Sequence, residues 1–365
     1  MTIHLYFARR FLLILLGMTA VFFALLALID LMEQLRRFNV DEIGFAQILR
    51  LTLLRAPEGL YQILPLLVIL STVTLFIGLA RSSELVVVRA TGRSALVSLL
   101  SPVSVALILG LLAVSTFNPI VAATSDQYHA LADRFRSGGG STLSISSEGL
   151  WLRQGGVGGQ AVIHAESTNP DASTFFDVTI LSYATGGAPS HRIVADSATL
   201  VDGGWELKNA RVWPLIPGIN PEAGKKDHET LLIETSLTRD RIRDRFGTPS
   251  VVSVWDLPQF IRELEEAGFS ARRHSVWLQM ELAQPIFLAA MVLIAAAFTM
   301  RHTRFGRTGL AVLTAVMTGF ALYYVRNFAQ ILGENGEIPV YLAAWAPPIA
   351  SVMLALGLLL HMEDG

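Results

Sequence analysis

A short polar segment between two apolar runs carries the residues whose types and spacing best suit a docking role. It reads Arg81-Ser-Ser-Glu-Leu-Val-Val-Val-Arg-Ala-Thr-Gly-Arg-Ser94. A serine can cap a short helix over 82–92 and Gly92 can end it, which leaves one apolar and one polar side. Such a helix can dock into a groove on a soluble partner or lie on the bilayer surface, and the residues alone leave both open. The candidate contact residues are Glu84, Leu85, Val88 and Arg89.

Motifs for catalysis are missing from the sequence. It contains no Gly-x-x-x-x-Gly-Lys-Ser/Thr phosphate loop, no His-Glu-x-x-His zinc helix and no Gly-x-Ser-x-Gly nucleophile elbow. The histidines lack the spacing of metal ligands, and the absence of cysteine excludes thiol chemistry. Glu281 and Arg326, the clearest charges inside apolar runs, lie toward the run ends and do not resemble a proton relay. We therefore expect no catalytic residue, no metal and no cofactor in this chain.

Six apolar segments must position these residues, three before a long polar stretch and three after it. A helix of about 20 mostly apolar residues crosses about 30 Å of hydrocarbon, and each segment meets that length. Almost no interior charge interrupts them, which argues against buried helices of a soluble protein. The pattern predicts an α-helical polytopic membrane protein with six transmembrane helices in a 3 + 3 arrangement. The segments are Phe11–Ile29, Leu60–Ala80, Ala95–Thr116, Val276–Met300, Thr308–Leu332 and Val340–Leu360.

Composition and charge agree with a membrane protein. Hydrophobic residues make up 52% and charged residues 16%, against about 25% charged in typical soluble domains. The net charge of −2 gives no indication of nucleic acid as a partner. Arginines cluster in alternate short segments, as in Arg9 and Arg10, the 81–94 loop and 301–307, so the positive-inside rule places both termini in the cytoplasm. The segment from Asp30 to Glu58, which carries four arginines on the opposite side, does not follow this rule.

The central polar stretch, from about Asn118 to His274, is predicted to be an inserted all-β domain. Runs such as Phe175–Tyr183 show partial period-2 alternation, and Asp202-Gly-Gly204 between two such runs is typical of a hairpin turn. Short strands with glycine-rich turns favour a sandwich or jelly roll. A connecting helix is predicted at 257–267. The expected domains are therefore 1–117, 118–274 and 275–365.

The loop pattern Arg-Ser-x-Glu-Leu-x-Val-x-x-Ala-x-Gly resembles the coupling loop of the LptF/LptG family, the permeases of the lipopolysaccharide export transporter. The resemblance covers the whole 3 + β domain + 3 order, and several stretches look more like the LptG branch than the LptF branch. Asp30 and Glu281 depart from it, since they occupy helix-end positions where some relatives are expected to carry a basic residue. The further stretches are Leu31–Arg37, Ile63–Leu67, Gly149–Trp151 and Gln284–Pro285.

This resemblance implies a permease subunit of an ABC transporter in the bacterial inner membrane. It implies pairing with an LptF-like permease over an LptB-like ATPase dimer, which binds the ATP that this chain cannot bind. ATP-driven closure would extract lipopolysaccharide and pass it through periplasmic β-jellyroll domains to an LptC-like bridge protein, toward the outer membrane. Glu84, Leu85, Val88 and Arg89 would then contact the ATPase.

The same resemblance suggests residues for the lipid. Arg36, Arg37 and Arg55 would face lipid phosphates, because arginine forms bidentate, charge-assisted bonds to phosphate. The alternative is that these arginines extend to the membrane interface without binding a ligand. Phe176 and Leu181 would line an apolar lumen of the β domain, which could instead be a packed sandwich that only recruits a partner.

A membrane-anchored sensor or assembly factor, whose β domain binds a partner without transport, fits the topology equally well. It does not explain a cytoplasmic docking helix in a chain that lacks a cytoplasmic signalling domain. Co-purification with a soluble ATPase separates the two interpretations.

Overall fold

The computed structural model describes most of the chain in two compact units. The first, here the membrane unit, comprises residues 1–128, 253–255 and 272–365, and the second, here the β unit, comprises residues 129–252 and 256–271. The described residues are 2–38, 43–84, 95–136, 143–146, 149–156, 159–169, 173–184, 188–201, 203–215, 220–235, 249–266, 269–300 and 308–364.

Long helices make up the membrane unit. Six spans among the described residues are long and apolar enough to cross a membrane, which confirms the predicted polytopic fold. The third span changes register once, through a π-helical turn at Ala113–Phe117. The helices are α1 (Thr2–Arg37), α2 (Phe45–Arg81), α3 (Ala95–Leu112), α4 (Asn118–Arg136), α5 (Leu257–Glu266, in the β unit), α6 (Arg272–Thr299), α7 (Thr308–Asn335) and α8 (Val340–Asp364).

Helix α6 forms the centre of the membrane unit. All of its residues from Phe287 to Ala297 are buried, and many are alanines that let neighbouring backbones approach. Gly110 of α3 lies directly against Pro285 of α6, where any side chain would collide with the proline backbone. In contrast, almost none of the apolar stretches of α1 and α7 is buried within this chain. These two helices therefore present their apolar surfaces to lipid or to another protein.

The β unit confirms the predicted inserted β domain and specifies its topology. Its seven described strands form one antiparallel sheet in sequence order, which is a meander, whereas the sequence predicted a sandwich or jelly roll. Helix α5 packs on one face, where Leu264 joins Phe175 and Trp205 in a single core. The strands are β1 (Leu143–Ser146), β2 (Gly149–Gly156), β3 (Gly159–Thr168), β4 (Thr174–Tyr183), β5 (Pro189–Val201), β6 (Gly204–Pro214) and β7 (Lys226–Glu234).

A line of irregular positions bends this sheet. Regular strands alternate faces every residue, yet buried residues lie three apart at Phe175 and Val178 in β4 and at Leu207 and Ala210 in β6. Asp177 and Asn209, which lie within these two intervals, have φ angles of 51° and 53°. Asp and Asn tolerate this left-handed conformation better than most residues. The bend therefore shifts which residues face the core along each strand.

The contact between α3 and α6 generates a stability prediction. Gly110→Ala should lower the free energy of unfolding by about 1–3 kcal/mol, because the added methyl group overpacks the helix contact. Gly357→Ala is the matched control, since no atom lies within 4 Å of a methyl group there and alanine favours a helix. Thermal unfolding in detergent measures both changes. Equal midpoints for the two variants would contradict the close approach of α3 and α6.

Candidate functional site

Glu84 is held by side chains from two parts of the membrane unit. Its carboxylate accepts hydrogen bonds from Arg10 Nη1 at 2.9 and 3.0 Å and from the Tyr6 hydroxyl at 2.8 Å, both on α1. The hydroxyl of Ser82 is a third donor group, at 2.7 Å. The start of the loop after α2 is thus tied to the first turns of α1.

Local backbone geometry presents Glu84 to these partners. Helix α2 ends at Arg81, and the backbone N–H of Ser82 donates to the carbonyl of Gly78, which leaves the Ser82 hydroxyl for Glu84. Ser83 then adopts a φ of 59°, which turns the chain sharply out of the helical path. The hydrogen bonds from Ser82, then Arg10 and Tyr6, hold the pKa of Glu84 below its ordinary value of 4.5. Glu84 is therefore a carboxylate at neutral pH.

Leu85, Val88 and Arg89 lie outside the described residues. Glu84 is about one-third exposed, with a side-chain exposure of 34%. Its contact with an ATPase stays a prediction, and the structure adds the intrachain partners with which such a contact would compete.

The three predicted phosphate-binding arginines occupy different environments. Arg55 lies between carboxylates, with Nη1 at 3.1 Å from Asp30 Oδ1 and 3.5 Å from Glu33 Oε1. Arg37 makes a long contact with Glu33, at 3.7 Å, and Arg36 is exposed. The charge of Arg55 is therefore already matched within the chain, whereas Arg36 and Arg37 face outward.

A cavity of 240 Å³ lies beside Arg55, between α1 and α2. Its polar lining includes the carboxylates of Asp30, Glu33 and Glu58 together with the guanidinium of Arg55. Three acidic groups against one basic group make this cavity unsuited to a phosphate unless the carboxylates move away. The sequence identified Asp30 as an unusual acidic residue but did not show that Arg55 neutralises it.

The predicted lumen residues of the β unit lie on the face opposite the packed core. Phe175 and Ile180 of β4 are buried in the core that Leu264 of α5 joins, whereas Phe176 is 40% exposed and Leu181 is half-buried beside Arg192. The left-handed residue Asp177 shifts the alternation between them. Whether Phe176 and Leu181 contact lipid stays a prediction, but they do not share a face with the core around Phe175.

Sequence reasoning missed one polar cluster in the membrane unit. It noted Glu281 and Arg326 separately, and the structure brings them close enough for charge attraction, with the Tyr61 hydroxyl donating to Glu281. Opposite charges in two apolar segments were the available signal. Their partners could not be assigned without the packing of α2, α6 and α7.

Comparison with known proteins decides the family. The model of the lipopolysaccharide export system permease LptF/LptG family matches residues 5–361. The chain belongs to the LptF/LptG family. It is 23% identical over 351 residues to the lipopolysaccharide export system permease protein LptG of Haemophilus influenzae, covering 93% of this chain and 92% of that protein. It is 24% identical over 355 residues to LptG of Escherichia coli K12, covering 91% and 90%.

Membership in the LptF/LptG family confirms the resemblance carried by the loop and the flanking stretches. Together with the six apolar spans, it makes the chain a multi-pass inner-membrane protein and a permease of the lipopolysaccharide export system. The similarity to LptG proteins extends over both halves of the membrane unit and the β unit between them.

Proposed function

We propose that this chain is the LptG-like subunit of an ATP-driven transporter that extracts lipopolysaccharide from the inner membrane. The observation that carries the proposal is the family match, which spans the six helices and the inserted β domain alike. The runs of basic residues support cytoplasmic termini and a periplasmic β unit.

An LptB-like ATPase dimer is the proposed source of energy. The sequence has no phosphate-binding loop of its own. Glu84 supports docking of the ATPase at the loop after α2, because it is a partly exposed carboxylate at the start of that loop. Since Arg10 and Tyr6 of α1 also bind Glu84, a movement of the loop would be transmitted first to α1.

An LptF-like permease is the proposed partner within the membrane. The apolar surfaces of α1 and α7 are almost unburied in this chain, although those helices are long enough to span the bilayer. A second permease that packs against them would enclose a space between the two subunits. Such an arrangement would let lipid enter beside α1 and α7.

Arg36 and Arg37 are the proposed contacts for lipid phosphate. Both are exposed at the end of α1, and among the described residues Arg37 makes one long contact with a carboxylate, that of Glu33. Arg55 could join them only if a phosphate displaced Asp30 and Glu33. We therefore assign Arg55 a secondary role in binding.

The β unit is proposed to receive the lipid and pass it to an LptC-like bridge protein. Its last described strand, β7, pairs only with β6 within the described sheet and carries Leu232, which is 61% exposed. An edge strand with exposed apolar residues is suited to pairing with another chain. The exposed Phe176 lies on the face of the sheet that α5 does not cover.

The first experiment separates the two possible roles of Glu84. Glu84→Lys should reduce complex formation or lipopolysaccharide-stimulated ATPase activity by about tenfold or more, because a repulsive contact replaces an attractive one. The exchange variant Arg10→Glu/Glu84→Arg restores the intrachain pair but not a contact with the ATPase. We expect this double variant to remain defective. Full recovery would show that Glu84 acts only within this chain.

The second experiment tests the substrate residues. Arg36→Ala/Arg37→Ala should lower extraction of lipopolysaccharide from proteoliposomes several-fold at low salt, and less at high salt, since exposed charges are screened. Lys225→Ala/Lys226→Ala removes the same charge from the β unit and is the control. Unchanged extraction by the arginine variant at both salt concentrations would favour arginines that only extend to the interface.

The third experiment tests the β unit as part of the lipid path. Photocrosslinking residues at Phe176 and Leu181 should capture lipopolysaccharide during ATP turnover, because both lie on the face that α5 leaves uncovered. A crosslinker at Ile180, which faces the packed core, is the control and should capture none. If positions 176 and 181 capture only protein, the β unit is a docking platform.

A further inference from the structure

The polar cluster around Glu281 joins several helices of the membrane unit and has no role in the function proposed above. Glu281 of α6 is 3% exposed and accepts a hydrogen bond from the hydroxyl of Tyr61 of α2. Arg326 of α7 attracts the carboxylate and stacks on Phe287, with Cζ 5.0 Å from the ring centroid. Ionisable residues inside membrane spans cost free energy, so they are rare. Where they occur, they usually pair with one another and mark a functional site.

Asn118 connects this cluster to a different part of the chain. Its side chain is 3% exposed and reaches both Tyr61 and Glu281. Its Oδ1 also accepts a hydrogen bond from the backbone N–H of Val254 at 2.8 Å. Because Val254 is itself buried, Asn118 supplies the partner that this N–H needs away from water.

The π-helical turn before Asn118 makes a second contact with the segment around Val254. Pro119 has no N–H to donate to the carbonyl of Ser115 one helical turn earlier. That carbonyl instead accepts the indole N–H of Trp255 at 3.0 Å. Phe117 of the turn stacks on Tyr61, with ring centroids 6.0 Å apart. Such π-helical turns are frequent at functional sites.

The segment held in this way occupies a special place in the chain. Residues 253–255 belong to the membrane unit, although the residues on both sides of them belong to the β unit. The chain therefore passes from the β unit into the membrane unit at residues 253–255. It then forms α5 in the β unit and enters the membrane unit again at Arg272. Contacts that hold residues 253–255 therefore determine where this segment lies on the membrane unit.

We propose that Glu281, Tyr61 and Asn118 form an anchor that holds residues 253–255 on the membrane unit. Glu281 is the positioning residue, since its carboxylate orients Tyr61 and Asn118, and Asn118 holds the backbone of Val254. Arg326 balances the buried charge. A movement of α6 that displaced Glu281 would loosen this segment, so the returning chain responds to the state of the membrane helices. This anchor requires neither the ATPase nor the lipid of the proposed function.

Hydrogen–deuterium exchange of the full chain in lipid nanodiscs tests the anchor. Asn118→Ala and Glu281→Leu should each speed exchange in a peptide covering 250–257 about tenfold, since the Val254 hydrogen bond is lost or loosened. Gln284→Leu is the matched control, because Gln284 lies on the same helix and is equally buried at 3% exposure. It should leave that peptide at the wild-type rate.

Two further variants separate the anchor from general damage to the fold. Tyr61→Phe removes one hydroxyl, keeps the ring stack and should still speed exchange at 250–257. Glu281→Gln/Arg326→Met removes both charges but keeps an acceptor oxygen, and should exchange like the wild type. Faster exchange that is confined to 250–257 supports the anchor. A wild-type rate in Glu281→Leu, an equal increase in peptides of α8, or a fast rate in the double variant overturns it.

Discussion

The interior of a bilayer offers no hydrogen-bond partners, so the backbone amides and charges of the membrane unit that lie within the hydrocarbon must find their partners within protein. The six long helices satisfy this constraint for the backbone. Polar side chains provide partners for backbone groups and charges that the helical hydrogen bonds leave unpaired. Arg272, for example, donates to the carbonyls of Gly333 at 2.7 Å and Ile338 at 2.6 Å, which lie at and beyond the end of α7. Glu281 and Tyr61 meet the same requirement deeper in the unit.

The sequence predicts those features that depend on local composition. Length and apolar content are properties of a single segment, so the six spans and the inserted β domain follow directly from them. The partners of Glu84 and Glu281 do not, because Arg10 lies 74 positions from Glu84 and Tyr61 lies 220 positions from Glu281. Residue type shows that such charges need partners, but only the packing of the helices shows which ones.

The faces of the β strands show a second limit of sequence reasoning. Alternation within Phe175–Tyr183 suggested that Phe176 and Leu181 face inward. The left-handed conformation of Asp177 changes the alternation inside the strand, and the buried positions become Phe175, Val178 and Ile180. Asp tolerates this conformation without requiring it, so the bend could not be read from residue type. A shift of one residue exchanges the two faces of a strand.

The arrangement of charges suggests how the parts of the proposed transporter communicate. Glu84 joins the loop after α2 to α1, and α1 is one of the two helices whose apolar surface this chain leaves unburied. A force applied at the loop would therefore reach a helix that faces the proposed second permease. The family match places these elements within one lipopolysaccharide export permease, in which the β unit follows the first three spans in the sequence and precedes the last three.

The most direct test of this account is reconstitution of the chain with an LptF-like permease and an LptB-like ATPase dimer in lipopolysaccharide-containing liposomes. The measured quantity is lipopolysaccharide transferred to a soluble acceptor protein, with and without ATP. We expect ATP-dependent transfer that disappears when this chain is omitted. A chain that neither retains the ATPase during purification nor supports any ATP-dependent transfer would contradict the account and would favour a non-transporting membrane anchor.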